Sequence, residues 1–298
     1  MTMKAIIAIT GATGFIARQL QKHYSDRFEF ILISHKSNQS SYSFDDIKAN
    51  PMLLSKAVAV IHLSGANIGD KRWSEKRKQE ILDSRIKTTK LLVSILNQLP
   101  NKPDLLCASA IGIYPEDNQI YSEYAKLDYN HYTNFSEEIT KKWESSTFGY
   151  SGRVVNMRFG VVLSGYGGAL DKILLPFKLG VGSGISDGSW PFCYISIIDL
   201  CNAIGFLIDK RDITGAINLV SPEIIRYKDL INAISQVYKK RCWFNLPKFV
   251  IKLLFGQMGG ELLLSGQKVV PMKLQEQNFK FTHSNIESCL KDIKLARI

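Results

Sequence analysis

The chain has 298 residues, of which 45% are hydrophobic, and carries a formal net charge of +11. This is enough for one large or two unequal globular domains. No apolar run approaches the roughly 18 residues of a membrane-spanning helix, and the positive charge is spread along the chain without a dense basic tail. We therefore expect neither a membrane nor a nucleic acid as partner, and anionic small molecules fit the charge better.

The five cysteines are scattered, and no C-x-x-C pair occurs. An odd, dispersed set is typical of reduced thiols and argues against a disulfide framework or a zinc site. We therefore expect a cytoplasmic protein without a bound metal. The cysteines are Cys107, Cys193, Cys201, Cys242 and Cys289.

A glycine-rich turn follows the first apolar run. Ala5 to Ile9 predicts a buried parallel strand, and Phe15 to Tyr24 predicts a helix. Gly11, Gly14 and Ala17 have the spacing of a dinucleotide-binding turn, in which backbone approaches a pyrophosphate and helix amides face the phosphates. The alternative is a purely structural turn. The predicted cofactor-binding residues here are Gly11, Thr13, Gly14, Phe15 and Ile16.

The second predicted strand, Phe28 to Ile33, ends where cofactor preference is decided. Enzymes that prefer NAD usually carry a carboxylate about 20 positions after the glycines, to hold the ribose 2′-hydroxyl. This chain has Ser34, His35 and Lys36 there. Two possible cations and no carboxylate predict NADP, with NAD as the alternative cofactor. The other interpretation is an ordinary polar loop.

A third strand is predicted over Ala57 to Leu63 and ends in small residues. Leu63, Ser64 and Gly65 would let a ligand lie across the carboxyl edge of a parallel sheet, where such sheets bind ligands. We predict that these three residues contact the cofactor. A simple glycine turn explains the segment equally well.

Two arginines are candidate phosphate ligands. The helix predicted over Trp73 to Leu99, with Ser74 as its N-cap, carries Arg85 among hydroxyl side chains. Arg158 lies in a later strand, predicted over Arg153 to Leu163. Either guanidinium could hold a cofactor phosphate, and the alternative for each is a structural ion pair.

Candidate catalytic groups follow the fourth predicted strand, Asp104 to Ala110. A hydroxyl and a phenol at the carboxyl end of a strand, Ser109 and Tyr114, could orient or protonate a substrate. Ser109 could also contact the cofactor. Glu123 lies in the polar loop that follows. The alternatives are a packed tyrosine and a surface carboxylate.

The second half of the chain predicts a smaller unit. A glycine-rich region begins at Ser164, and the helix Ile197 to Asp209 and the strand Ala216 to Val220 are predicted to return to the first unit. Three further helices are predicted over Tyr227 to Tyr238, Pro247 to Phe255 and Asn285 to Asp292. The predicted division is residues 1–163 and 197–220 for the cofactor domain, and residues 164–196 and 221–298 for the substrate domain.

Eight short segments match one family together, although each alone is weakly specific. They are residues 9–16, 61–68, 72–74, 84–89, 108–114, 158–163, 167–170 and 262–267. Through them the chain resembles the extended short-chain dehydrogenase/reductase superfamily, and most closely its atypical sugar-nucleotide epimerase-like (YfcH-type) branch. The resemblance implies an α/β fold: an NAD(P)-binding Rossmann domain with a doubly wound parallel sheet, and a small C-terminal α+β substrate domain.

The catalytic pair of the wider superfamily is absent. Its catalytic members use a Tyr-x-x-x-Lys, in which the lysine lowers the pKa of the phenol so that it can accept a hydroxyl proton. Aligned through Trp143 and Glu144, the two positions hold Ser136 and Thr140. No tyrosine in residues 114–150 has a lysine four positions later.

Two classes of function remain open. The first is an NADP-binding epimerase/dehydratase- or reductase-like enzyme for a nucleotide-sugar or similar anionic polar substrate, with Ser109, Tyr114 and Glu123 as catalytic candidates. In that case Lys126 or Arg85 could reach the phenol of Tyr114. The second is a non-catalytic NADP-binding sensor or interaction module. The resemblance also implies a monomer or a homodimer.

Overall fold

A parallel sheet flanked by helices forms the centre of the computed structural model, which describes residues 4–295. The first half of the chain alternates strands and helices, with short 3₁₀ turns at Pro51–Leu54 and Ile111–Ile113. Its elements are β1 (Ala5–Thr10), α1 (Phe15–His23), β2 (Phe28–Ile33), α2 (Phe44–Ala49), β3 (Ala57–His62), α3 (Glu75–Leu96), β4 (Asp104–Ala110), β5 (Ile120–Tyr121), α4 (Phe135–Ser145) and β6 (Val154–Phe159).

The second half has shorter strands and more helix. Its elements are β7 (Val161–Leu163), α5 (Ala169–Lys178), β8 (Ser183–Ile185), β9 (Pro191–Phe192), β10 (Tyr194–Ser196), α6 (Ile197–Asp209), β11 (Gly215–Leu219), β12 (Ile225–Arg226), α7 (Tyr227–Tyr238), β13 (Phe244–Leu246), α8 (Lys248–Leu263), β14 (Lys268–Val269), α9 (Met272–Glu276) and α10 (Ile286–Lys294).

The central sheet has six strands in the order β11-β6-β4-β3-β1-β2, and every neighbouring pair is parallel. The strand order reverses between β1 and β3, because the chain runs outward to β2 and then returns to the other side of β1. Open α/β sheets bind ligands at the carboxyl ends of strands beside such a reversal. The predicted Rossmann-type doubly wound sheet is confirmed.

Both faces of the sheet are buried, as expected for parallel strands. Successive side chains of a strand point to opposite faces. Ile7 and Ile9 of β1 therefore pack into one core cluster, and Ala8 packs into a second cluster with Val60 of β3. This explains why the strands read as continuous apolar runs in the sequence.

The strand predicted over Arg153 to Leu163 is broken into β6 and β7. The break lies at Gly160, after which β7 leaves the main sheet and pairs with β10. A Cβ atom at Gly160 would lie 2.9 Å from Cγ1 of Val220 and 3.0 Å from the carbonyl oxygen of Cys193. Only glycine fits this close approach of chain segments.

Helix ends differ modestly from the predicted ones. Ser74 caps α3 as predicted, since its hydroxyl accepts a hydrogen bond from the backbone N–H of Arg77. The helix predicted to end at Phe255 continues to Leu263, with a break in helical geometry at Gly256.

The second half of the chain packs onto the sheet as a smaller lobe. Strand β11 is the edge strand of the main sheet, next to β6, and the remaining short strands form two-stranded pairs. One core cluster includes Ile7 of β1, Leu170 of α5 and Leu230 of α7. The predicted domain boundaries stay a prediction, and their first and last three residues lie outside the described part of the chain.

The cysteines are unpaired, as predicted for reduced thiols. Across residues 4–295 the structure has no helix of the length and apolar character needed to cross a membrane. The same part of the chain contains no cluster of three His, Cys, Asp or Glu side chains placed to hold a metal ion.

Candidate functional site

The glycine turn lies at the carboxyl end of β1, against the end of β3. Gly11 has φ +68°, and a Cβ atom there would lie 2.9 Å from the carbonyl oxygen of Leu63. Glycine is therefore required by both conformation and space. The N–H of Gly14 donates to the carbonyl of Gly11 at 2.8 Å and closes the turn. Thr13 and Gly14 are exposed, so a ligand can reach this backbone.

Helix α1 begins at this turn with free backbone amides. It has no side-chain N-cap and no acidic residue in its first turn. Helices α2, α3 and α4 differ, because Ser43, Ser74 and Asn134 cap them. Uncapped amides and the positive end of a helix dipole favour phosphate groups. This donor set fits the pyrophosphate of a dinucleotide.

The residues after β2 divide into one buried and two exposed side chains. The hydroxyl of Ser34 donates to the carbonyl of Lys36 at 2.6 Å and lies 2.8 Å from the hydroxyl of Ser41. The hydroxyl of Ser34, a predicted cofactor contact, is thus engaged in shaping the loop. His35 and Lys36 project into solvent, which leaves them as the accessible members of the predicted set.

Arg85 is a buried cation at the end of β3. It is only 9% exposed, and its Nη1 donates to the carbonyls of Ala66 at 3.0 Å and Ile81 at 3.3 Å. Its guanidinium lies 4.9 Å from the ring centroid of Trp143 and directly beside Gly65. No carboxylate pairs with Arg85 within residues 4–295, so the structural ion pair considered as the alternative does not form. Burial lowers the pKa of Arg85 to about 10, so the side chain is charged at neutral pH.

Other buried cations have carboxylate partners. A buried charge is costly unless an opposite charge compensates it. Arg85 departs from this rule, and an anionic group of a ligand would supply its missing partner. The compensated buried pairs are Lys141 with Glu137, Arg153 with Asp104, and Arg158 with Glu144.

Arg158 forms the structural ion pair and not the phosphate site predicted for it. Its Nε and Nη2 donate to the two carboxylate oxygens of Glu144, each at 2.8 Å. Its Nη1 donates to the hydroxyl of Tyr114 at 2.7 Å, and Nη2 also reaches Tyr129 at 3.2 Å. Burial alone would lower the pKa of Arg158, but the bonds and charge of Glu144 raise it.

Ser109 and Tyr114 belong to the same buried network. The hydroxyl of Ser109 donates to Oε1 of Glu144 at 2.7 Å, and the hydroxyl of Tyr114 donates to Oδ1 of Asn218 at 2.8 Å. Burial raises the pKa of Tyr114, although Arg158 opposes the effect. The cation at this phenol is Arg158, and not Lys126 or Arg85 as expected.

Glu123 is buried beside Tyr114 and not on the surface. Its Oε1 accepts from the backbone N–H of Asn218 at 2.9 Å, and its Oε2 accepts from the N–H of Lys273 at 3.4 Å. Burial raises the pKa of this carboxyl. Asn218 of β11 thus joins Glu123 to Tyr114, and both side chains are engaged inside the protein. Their catalytic role stays a prediction.

Three residues without a predicted role shape this region. Trp143 and Glu144 served only for alignment, yet they contact Arg85 and Arg158. Glu261 of α8 accepts from the backbone N–H of Ser136 at 2.9 Å and from its hydroxyl at 2.8 Å. Glu144 could have been found from the sequence, because it is a charged residue on the buried face of an amphipathic helix. No local pattern pointed to Glu261, because it is 125 residues from Ser136 in the chain.

A cavity of about 370 Å³ lies elsewhere, between the first turns of α3 and α4. Glu75, Lys78, Tyr132 and Gln257 are among its lining residues, and none of the predicted site residues is. It is wide open to solvent and mixes both signs of charge. The predicted cofactor path along the strand ends is therefore separate from this cavity.

Comparisons with known proteins cover nearly the whole chain. The model of the NAD dependent epimerase/dehydratase family matches residues 7–171. A model described as a domain of unknown function, DUF1731, matches residues 246–293. An epimerase family protein of Staphylococcus haemolyticus is 33% identical over 300 residues, which span 96% of this chain and 97% of that protein.

Solved structures of similar proteins include one with a cofactor. The human epimerase family protein SDR39U1, crystallised with NADPH, has a TM-score of 0.91 at 28% identity, over 97% of this chain and 98% of that chain. The nucleoside-diphosphate sugar epimerase from Corynebacterium glutamicum has a TM-score of 0.79 at 26% identity, over 98% of this chain and 58% of that chain.

Proposed function

The chain belongs to the NAD dependent epimerase/dehydratase family, as its eight segments predicted, and on that premise we propose that it binds NADP(H). We further propose an epimerase/dehydratase- or reductase-like reaction on a nucleotide-sugar or similar anionic polar substrate, without the Tyr-x-x-x-Lys pair. The observation that carries the proposal is Arg85, a buried cation without a carboxylate partner in residues 4–295, beside Gly65 at the end of β3.

Each part of the cofactor has a matching group along the strand ends. The uncapped amides in the first turn of α1 would hold the pyrophosphate, and Arg85 would hold an anionic group next to Gly65. His35 and Lys36 would face the 2′-phosphate. The human relative crystallised with NADPH supports the same cofactor. NADP supplies hydride transfer when it is bound, and these residues bind and orient it.

The net charge of the chain and the description of a similar protein both support an anionic substrate. The net charge of +11 favours anionic ligands. The similar protein from Corynebacterium glutamicum is described as a nucleoside-diphosphate sugar epimerase, which supports a nucleotide-sugar here. We also propose a cytoplasmic protein, because its cysteines are unpaired, and a homodimer through α3 and α4 as the alternative to a monomer.

A non-catalytic NADP-binding sensor is the second candidate, and one observation favours it. The side chains of Ser109, Tyr114 and Glu123 all bond to protein groups inside a buried network. A general acid or base must reach the proton that it transfers. In the sensor, this network holds the strand ends in place and no turnover occurs.

Mass spectrometry of ligands released by denaturing the purified protein distinguishes the candidates. We expect NADP together with an anionic sugar derivative if the protein is an enzyme, and NADP alone if it is a sensor. Release of no dinucleotide, with no NADPH binding by calorimetry, would contradict both.

Two variants then test the catalytic candidates with the released substrate. We expect Glu123→Gln and Tyr114→Phe to retain NADP binding and to abolish turnover. Full activity in the double variant would remove both residues from the mechanism. Without a Tyr-x-x-x-Lys pair, simple alcohols should be oxidised slowly or not at all, since acid–base catalysis contributes typically ~10²–10⁴-fold.

A further inference from the structure

The smaller lobe carries a concentrated group of exposed apolar side chains. We define the lobe patch as Leu179, Val181, Trp243, Phe244, Phe249 and Leu253, which are 50–72% exposed. Large apolar patches on a folded surface mark interaction sites more often than isolated exposed side chains do.

Backbone pairing brings together the segments that carry these side chains. Strand β13 pairs with β8 in parallel, and the N–H of Trp243 donates to the carbonyl of Gly182 at 2.8 Å. This places Trp243 next to Val181, which follows α5. Helix α8 begins directly after β13, and Phe249 and Leu253 lie four residues apart on one face of it.

The segment that carries most of the lobe patch is basic. The chain contains no acidic residue from position 230 to position 260, while Lys239, Lys240, Arg241, Lys248 and Lys252 lie in this segment. All five are exposed. Among the described residues only Lys248 has a carboxylate within salt-bridge distance, Asp187 at 4.0 Å. The guanidinium of Arg241 lies 5.9 Å from the ring of Trp243.

We propose that the lobe patch docks the protein on the surface of an anionic lipid bilayer. Aromatic and aliphatic side chains enter the boundary between headgroups and acyl chains, and the basic residues beside them attract anionic headgroups. Contact is peripheral, since no described helix could span the bilayer. The expectation of no membrane partner rested on the spread of charge over the whole chain, and it overlooked the segment from 239 to 253, in which basic and apolar residues lie together.

Two other occupants fit the chemistry less well. A second copy bound through the same patch on a two-fold axis would bring like charges together. Single-stranded nucleic acid would stack on Trp243 and Phe244 but would leave the aliphatic Leu179, Val181 and Leu253 without a use. A bilayer uses both the cations and the aliphatic groups. This proposal is independent of the proposed NADP chemistry.

Vesicle flotation of the full chain tests the proposal. We expect the protein to float with vesicles of phosphatidylglycerol and phosphatidylcholine, and not with phosphatidylcholine alone. The double variant Phe249→Ser/Leu253→Ser should weaken vesicle binding by roughly tenfold or more, because two apolar side chains are no longer transferred from water into the bilayer. Changing Lys239, Lys240 and Arg241 to Gln should weaken binding by a similar or larger factor, at about fivefold for each charge.

Matched controls separate the patch from general charge and hydrophobicity. Met52→Ser removes an exposed apolar side chain elsewhere, and changing Lys48, Lys56 and Lys90 to Gln removes the same net charge from other exposed positions. Both controls should bind as the wild type does, and circular dichroism should show that all variants fold. Three results would overturn the proposal: no flotation of the wild type, equal losses in the controls, or a patch-dependent dimer or RNA complex with no vesicle binding.

Discussion

Ser109 donates a hydrogen bond of 2.7 Å from its hydroxyl to Oε1 of Glu144, at the carboxyl end of β4. The same carboxylate pairs with Arg158, so both charges are compensated inside the protein. Arg85 also contacts helix α4, through Trp143, but has no carboxylate partner within residues 4–295. The two arginines therefore give opposite predictions for stability and for ligand binding.

Arg158→Met should lower the free energy of unfolding by about 3–5 kcal/mol, because it leaves Glu144 buried without compensation. Arg85→Met removes an uncompensated charge and should cost less than about 1 kcal/mol, since the hydrogen bonds to two carbonyls are lost at the same time. Urea unfolding measures both values. Arg85→Met should also weaken NADPH binding by roughly tenfold or more. Equal destabilisation by the two variants, with unchanged NADPH affinity, would show that Arg85 is purely structural.

Gly14→Val should abolish cofactor binding while the fold is retained. The substitution places a branched side chain where the phosphates must lie, on a residue that is exposed in the turn. Gly149→Val is the control for a valine at an unhindered glycine, because a Cβ atom there meets no atom within 4 Å, whereas at Gly14 it would lie 3.0 Å from the carbonyl oxygen of Gly11. Calorimetry with NADPH measures the effect. A folded Gly14→Val protein with wild-type affinity would remove the turn from the cofactor site.

The structure explains why the glycine turn could be predicted and the ion pairs could not. Gly11 and Gly14 lie in one turn between adjacent elements. The conformation of such a local turn follows from the spacing of its residues along the chain. For Arg85 and for Arg158 the sequence allowed the same two interpretations, a ligand for a cofactor phosphate or a member of a structural ion pair. Glu144 lies only 14 residues before Arg158, but the two belong to different elements, and only the folded structure shows that Arg158 meets Glu144 while Arg85 meets the face of Trp143.

Burial also bears on polar side chains for which the sequence left both a site role and a surface role open. Glu123 lies in a loop rich in polar residues, which gave no sign that its carboxylate would accept from the backbone of Asn218. Ser34 directly follows a strand, where its hydroxyl could face a ligand, but this hydroxyl donates to the carbonyl of Lys36 in its own loop. The sequence pattern gives the position of such residues along the chain, and tertiary packing decides whether solvent or a ligand can reach them.

NADPH should bind more tightly than NADH. Lys36, with or without His35, can donate a charge-assisted contact to the 2′-phosphate, which is worth on the order of 1.5–3 kcal/mol, or tenfold or more in affinity. Lys36→Gln should remove much of the preference, while Lys56→Gln, at an exposed position elsewhere, should leave it. Equal affinities for NADPH and NADH would contradict the NADP assignment.

Two buried histidines should make stability depend on pH with opposite signs. His62 is fully buried, with Nδ1 2.6 Å from the hydroxyl of Thr10 and Nε2 2.9 Å from that of Thr89. Burial lowers the pKa of His62 to about 3. The neutral form therefore stabilises the fold fully above the unfolded value near 6.5, and this contribution is lost as pH falls from about 6.5 towards 3.

His283 behaves in the opposite way. The carboxylate of Asp199, 3.6 Å from Nδ1, raises the pKa of His283, burial opposes the rise, and the bond from Nε2 to Asp292 adds to it. Its charged form therefore stabilises the fold fully below about 6.5, and the contribution is lost as pH rises through the raised folded value.

Chemical unfolding at pH 7 and pH 5 separates the two histidines. At pH 5 the unfolded chain binds a proton at His62 that the folded protein excludes, which costs about 2 kcal/mol relative to pH 7. His62→Gln removes this cost, so stability should fall less between pH 7 and pH 5 than in the wild type. His283→Gln removes the compensating gain, so stability should fall more. The same pH dependence in the wild type and both variants would mean that neither histidine changes its proton affinity on folding, and that carboxylates alone set the acid sensitivity of the protein.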